Sequence, residues 1–115
     1  MVLRDDPDVE RWGVIETDGD DRVLRIQGKG CTSQEKDVAP CRRMFAGIHE
    51  LDPFMLRHVP PGIFSSIIDA YVWWLERGAR VAGYVFSGYW SDVGTPERYA
   101  QVQHDVKAGI VKVPE

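Results

Sequence analysis

The densest run of side chains able to do chemistry is Gly88-Tyr89-Trp90-Ser91-Asp92-Val93-Gly94-Thr95-Pro96-Glu97-Arg98-Tyr99. Within it Asp92 is a carboxylate shortly before a helix start, a place where aspartate commonly serves a turn. Lys29 stands between Gly28 and Gly30 in a polar stretch, and the ordinary role of such a lysine is a solvated one. Gly13 and Gly47 interrupt two apolar runs, as glycines do at a bulge or where backbone or ligand approaches closely. His49, His58 and His104 are scattered, with no cysteine or second histidine at metal-ligand spacing, so they read as structural or surface residues. Cys31 and Cys41 are too few for a disulfide framework or a four-ligand zinc site and read as reduced thiols.

Short β-rich and helical runs must hold these residues in place. Trp12-Gly13-Val14-Ile15-Glu16 and Arg22-Val23-Leu24-Arg25-Ile26 flank Thr17-Asp18-Gly19-Asp20-Asp21, and an Asp-Gly pair between such runs predicts a hairpin. The two arginines of the second run place this hairpin at the surface. Residues 28–41 lack an apolar period and read as a long loop. Residues 44–51 read as a buried strand, and Asp52-Pro53 then caps a short helix through Arg57. From Ser65 to Arg77 the residues Ile67, Ile68, Tyr71, Val72, Trp74 and Leu75 recur at helical spacing, with Gly78 as terminator. Trp73 and Trp74 are adjacent and cannot both share the inner face of that helix, so one is expected at an interface.

Residues 81–86 are apolar on both alternating faces and predict a central strand. Thr95-Pro96-Glu97 opens a last helix that closes at Gly109, with Tyr99, Val102 and Val106 marking one face. The order of strands and helices predicts an α/β fold, a mixed β-sheet with flanking helices.

At 115 residues the chain makes one domain, and its 43% hydrophobic content is enough for a core. Fourteen lysines and arginines against eighteen acids leave a net charge of −4 with no basic block, so no nucleic-acid partner is expected. The longest apolar stretch, residues 67–75, is far short of the roughly 20 residues a bilayer requires and contains Asp69. No membrane association and a cytoplasmic location are the expectation, since the first residues lack the apolar core of a secretory signal.

The Asp92 segment resembles a motif of the sugar-phosphate nucleotidyltransferases, the family of mannose-1-phosphate guanylyltransferases and glucose-1-phosphate thymidylyltransferases. There a strand ends in an aromatic residue and an aspartate, followed by a Gly-Thr-Pro turn into a helix. The resemblance implies that Asp92 is a magnesium ligand, a chemistry that suits a hard carboxylate oxygen. Other segments fall in family order. Glu10-Arg11-Trp12-Gly13-Val14-Ile15-Glu16 is similar to the family strand Arg-Tyr-Gly-Val-Val-Glu, which puts Gly13 beside the sugar. Gln27-Gly28-Lys29-Gly30 occupies the place of Glu-Lys-Pro, which makes Lys29 a phosphate contact. Phe45-Ala46-Gly47-Ile48 is similar to a strand whose glycine lies at the sugar pocket, which assigns Gly47.

The resemblance spans about residues 3–109. It departs from the family where the glutamate and proline around the lysine are Gly28 and Gly30. The family's Gly-x-Gly-Thr-Arg triphosphate loop and a second metal-binding aspartate are also missing from this sequence. What the resemblance implies is therefore the carboxyl-terminal half of the Rossmann-like nucleotide-diphospho-sugar transferase fold. The expected protein is a sugar-phosphate-binding relative that is not catalytic alone, with weak Mg2+ binding. The expected partners are a second copy in a dimer, a separate nucleotide-binding half, and a sugar phosphate. The alternative is a non-catalytic module that self-associates or binds a partner.

Overall fold

In a computed structural model the structure describes residues 1–31 and 39–112. Six strands form one mixed sheet: β1 (Val2–Arg4), β2 (Val14–Thr17), β3 (Val23–Ile26), β4 (Lys29–Gly30), β5 (Cys41–Phe45) and β6 (Tyr84–Val85). Their order is β4-β3-β2-β5-β1-β6, with β6 parallel to β1 and the other neighbours antiparallel. Three α-helices accompany them, α1 (Val9–Trp12), α2 (Ile67–Leu75) and α3 (Pro96–Lys107), along with a 3-10 helix at Pro53–His58. The α/β class with a mixed sheet and flanking helices agrees with the sequence reading.

The Asp-Gly turn does join β2 to β3, with the Asp18 carboxylate accepting from the N–H groups of Asp20 and Arg22 at 2.9 Å each. Its expected surface position is wrong. Ile15, Val23 and Ile26 are fully buried, because β2 lies between β3 and β5 and turns one face toward α2. Of the two arginines that suggest a wet strand, Arg25 is taken up by a partner, bonding Glu16 at 2.5 Å.

Residues 81–86 are not a central strand. They cross the end of the sheet: Val23 N–H donates to the Val81 carbonyl (2.9 Å) and Gly83 N–H to that of Asp21 (2.8 Å), while Tyr84 and Phe86 bond to Met1 and Leu3. One strip thus ties β3 to β1 and curls the sheet toward closure. The run is apolar because Val81 is buried in the core, whereas Tyr84 stands on the edge, 66% exposed. The strand expected at residues 44–51 instead ends at Phe45, and Gly47 follows at φ +81°. Of the expected 28–41 loop, Lys29 and Gly30 form β4, and residues 32–38 lie outside the described residues.

Helix α2 forms where its spacing predicts it. Ser66 caps it through the Ile68 N–H, and Gly78 follows at φ +80°. Its Tyr71, Val72 and Leu75 close the core against Leu3, Ile15, Val23, Ile26 and Val81. Each such aliphatic side chain contributes about 1.5–3 kcal/mol by leaving water. Both adjacent tryptophans find partners within the chain. Trp74 donates its Nε1–H to the Met55 carbonyl, and Trp73 lies between the stacked His58 ring at 3.7 Å and the Arg77 guanidinium at 3.6 Å. The 3-10 helix is capped by Asp52, as expected, through the Phe54 N–H.

Helix α3 starts at the Thr95 cap with Pro96, also as expected. Its inner face is not apolar, however. Tyr99 and Val106 are exposed, and the buried residue is Asp105, 9% exposed. The Tyr89 hydroxyl donates to Asp105 Oδ2 at 2.7 Å and the Gln101 amide to Oδ1 at 2.8 Å. Those two bonds hold the Asp105 carboxyl below its ordinary value of 3.8, and the same contact raises Tyr89. A depressed carboxylate contributes stability above its unfolded value and loses it as pH falls through the folded one. Acidification below about pH 3.8 should therefore release α3 before the sheet melts, visible as loss of amide protection in residues 96–107. Asp105→Asn should abolish that acid step, and an unchanged step in the variant would mean another group tethers the helix.

Candidate functional site

Trp12 is the centre of the only cluster that gathers several sequence-nominated residues among the described ones. It ends α1, and the chain turns through Gly13 at φ +86° into β2. The Trp90 ring meets Trp12 edge-on at 5.5 Å, and Trp90 Nε1–H donates to the Ala46 carbonyl at 3.0 Å, next to Gly47. Arg98 lays its guanidinium 5.2 Å from the Trp12 ring centroid and bonds Asp92 Oδ2. The segment that leads to Asp92 is held to β1 by Arg4, whose Nη1 donates to the Gly88 carbonyl at 2.5 Å. Gly13, Gly47 and Asp92 are thus linked through Trp12, Trp90 and Arg98. The sequence motifs contain those three linking residues but give none of them a role in the site. Their signal is long-range pairing, and an aromatic before a glycine was the one local hint.

Beside Trp12 opens a shallow groove of about 610 Å³ lined by Glu10, Arg11, Trp12, Gly13, Val14, Glu16, Gln27, Gly28 and Arg42. Its charges come in pairs because the strand register dictates it. Glu16 lies opposite Arg25 on β3 and Arg42 on β5. It bonds Arg25, while Arg42 reaches Glu10. Of the four sequence-nominated residues only Gly13 lines this groove. Lys29 is exposed on β4 beyond Gly28, and Gly47 is exposed next to Ala46, whose carbonyl holds Trp90.

Asp92 was expected to hold magnesium. Its Oδ1 accepts from the Gly94 N–H at 2.9 Å and its Oδ2 from Arg98. No three His, Cys, Asp or Glu side chains come together among the described residues. Magnesium demands near-octahedral oxygen ligation, and one carboxylate already paired with a guanidinium does not supply it. The described residues do not fit the ion. In this chain Asp92 anchors the first turn of α3 to the Trp12 cluster.

Among the described residues no helix is long and apolar enough to cross a membrane.

The sequence profile of the family described as Nucleotidyl transferase matches residues 1–109. A mannose-1-phosphate guanylyltransferase of Mycobacterium tuberculosis (strain ATCC 25618 / H37Rv) is 28% identical over 109 residues, which cover 93% of this chain and 29% of that protein. The chain therefore spans under a third of the curated relative's length. No solved structure matches it. With the match running through the Trp12 groove and the Asp92 turn alike, the chain belongs to the nucleotidyl transferase family.

Proposed function

We propose that this chain is the sugar-phosphate side of a sugar-1-phosphate nucleotidyltransferase, corresponding to the carboxyl-terminal half of the family fold, and that it does not catalyse the transfer alone. The observation that carries the reading is the groove beside Trp12, whose floor is Gly13 and whose polar rim is made of paired charges. In the full reaction an oxygen of the sugar 1-phosphate bonds to the α-phosphorus of a nucleoside triphosphate, and the bond to the departing pyrophosphate breaks. That oxygen is already anionic, so no proton need be removed and positioning with charge stabilisation suffices. Trp12 offers an apolar wall to a sugar ring, and Gly13, having no side chain, leaves room for Gln27 to lie along the groove. Arg42, exposed at the groove, supplies a cation. Lys29, past the turn at Gly28, is the proposed phosphate contact, and Gly47, next to the Ala46 carbonyl that holds Trp90, is the proposed second backbone neighbour of the sugar.

The sequence carries no Gly-x-Gly-Thr-Arg triphosphate loop. Pyrophosphate release by the purified chain should accordingly remain at background across sugar 1-phosphates and nucleoside triphosphates with magnesium. Sustained turnover that is lost in Asp92→Asn would overturn this. Titration with sugar phosphates should shift the amides of Gly13, Lys29 and Gly47, and larger shifts elsewhere with triphosphate alone would contradict the assignment.

A second reading, a self-associating or partner-binding module, is favoured by one feature. Phe64 is 98% exposed at the tip of the segment before α2, next to the exposed Ile63. An unsheltered pair of large apolar side chains suits an interface with a second copy or with a separate nucleotide-binding half. Light scattering coupled to gel filtration distinguishes the two: a dimer that Phe64→Ser converts to monomer supports the second copy, and a monomer at all micromolar concentrations excludes it.

A further inference from the structure

The β3–β4 hairpin turns on two residues, Gln27 and Gly28, between the pairs Ile26–Lys29 and Arg25–Gly30. Both have positive φ, +51° and +79°, the arrangement of a type I′ turn, which favours asparagine and glycine at its centre. Glutamine is an unusual first residue there. Its β-carbon bears the strain of the left-handed region, and its amide is one methylene too long for the local turn bonds that make asparagine tolerant. The extra length goes across the turn, over Gly13. A β-carbon at position 13 would stand 2.7 Å from Gln27 Nε2 and 3.4 Å from Cγ. The side chain therefore lies flat against the Gly13 backbone, and both line the groove.

The other polar side chains of the groove are already engaged. Glu16 bonds Arg25, Glu10 bonds Arg42, and the Arg11 guanidinium lies 5.2 Å from the Trp12 ring centroid. The Gln27 carboxamide makes no hydrogen bond to any described residue, while its backbone N–H is held by the Val14 carbonyl at 2.8 Å. A fixed backbone thus presents an uncommitted amide at the groove floor.

We propose that Gln27 is the specificity-determining residue of this groove, its carboxamide reading a pair of adjacent hydroxyls on the pyranose ring of a sugar 1-phosphate. The inference rests on the sugar-phosphate reading of the groove and adds to it the residue that selects the sugar. A primary amide offers two donors and two lone pairs on one plane, which matches two neighbouring hydroxyls whichever way round the amide lies. The absence of a side chain at Gly28 leaves this as the amide that can do so, and Gly13 is what lets it lie low enough to face the ring.

Gln27→Gly and Gln27→Asn both suit positive φ, so each should keep or raise the melting temperature while removing or withdrawing the amide. Binding of α-mannose 1-phosphate and α-glucose 1-phosphate, followed by amide shifts in the full chain, should weaken roughly 10-fold in both variants, as expected for two lost hydrogen bonds. Deoxy analogues lacking one hydroxyl should bind the parent chain more weakly than the intact sugar phosphate. Gln27→Gly should not distinguish them. Equal affinity of the parent and a folded Gln27→Gly overturns the role of Gln27 and leaves the groove reading intact. If the parent shows no shift with any sugar phosphate at millimolar concentration, the groove reading fails and this inference fails with it.

Discussion

Gly83→Ala should destabilise the protein by about 2–4 kcal/mol, although Gly83 has no positive φ and lies outside the groove beside Trp12. A β-carbon there would stand 2.6 Å from the Asp21 carbonyl oxygen and 2.6 Å from Leu3 Cδ1. The first is backbone and the second belongs to a fully buried side chain, so neither can move aside freely. The strip must instead part from β3, and the bonds from Gly83 to Asp21 and from Val23 to Val81 go with it. Overpacking typically costs about 1–3 kcal/mol, and a lost hydrogen bond about 0.5–1.5 kcal/mol. For a chain of this size the melting temperature should fall by on the order of 10 °C. Hydrogen exchange supplies the specific check, since the Val23 amide should lose protection more than amides of the β2–β5 pair. Unchanged stability with a protected Val23 would mean that the strip does not close the sheet. The same strip runs on into the segment that carries Trp90 and Asp92, so the variant should also loosen the Trp12 cluster.

The second large effect is expected at Tyr71, which is 2% exposed in the middle of α2 and packs into the core. Tyr71→Ala should cost about 3–5 kcal/mol, the range for removing a buried aromatic side chain. A domain whose total stability is about 5–15 kcal/mol would then be close to unfolding. Tyr71→Phe separates packing from the hydroxyl, which pairs with His49 Nδ1 at 2.8 Å. That variant should lose only about 1 kcal/mol near neutral pH. Burial pushes the Tyr71 hydroxyl above its ordinary value of 10.0. A raised folded value means that the contribution is whole below the unfolded value and is lost as pH rises from there through the folded one. The parent protein should therefore lose stability in alkali above about pH 10, and Tyr71→Phe should lose less over the same window. Parallel pH profiles for the two proteins would show that Tyr71 is not the group responsible. Chemical denaturation at several pH values measures both outcomes.

Local chemistry made the 3-10 helix, α2, α3 and the hairpin legible in the sequence, but not α1, which has no side-chain cap. Ser66, Asp52 and Thr95 cap helices through N–H groups two or three residues away, and Asp18 with Gly19 turns a hairpin whose partners are close in the chain. The apolar spacing of residues 67–75 likewise needs nothing distant to read as a helix. The ordered motifs also pointed to the nucleotidyl transferase family, because a Gly-Thr-Pro helix start after an aspartate is a contiguous signature. Tertiary structure alone decided the strand order. An apolar run such as residues 81–86 is equally consistent with a central strand and with a strip that buries Val81 at one end and exposes Tyr84 at the other. Only its pairing with both β1 and β3 distinguishes them. Arg25 of β3 looked like a solvent marker because its carboxylate partner, Glu16, lies on another strand, set opposite by register. The gathering of Trp12, Trp90, Arg98 and Asp92 joins residues up to 86 positions apart, the separation of Trp12 and Arg98. The placement of Gln27 over Gly13 has the same origin. Capping and turn geometry act within a few residues and are written in the sequence, whereas a site built across strands exists only once the sheet has set which residues face one another.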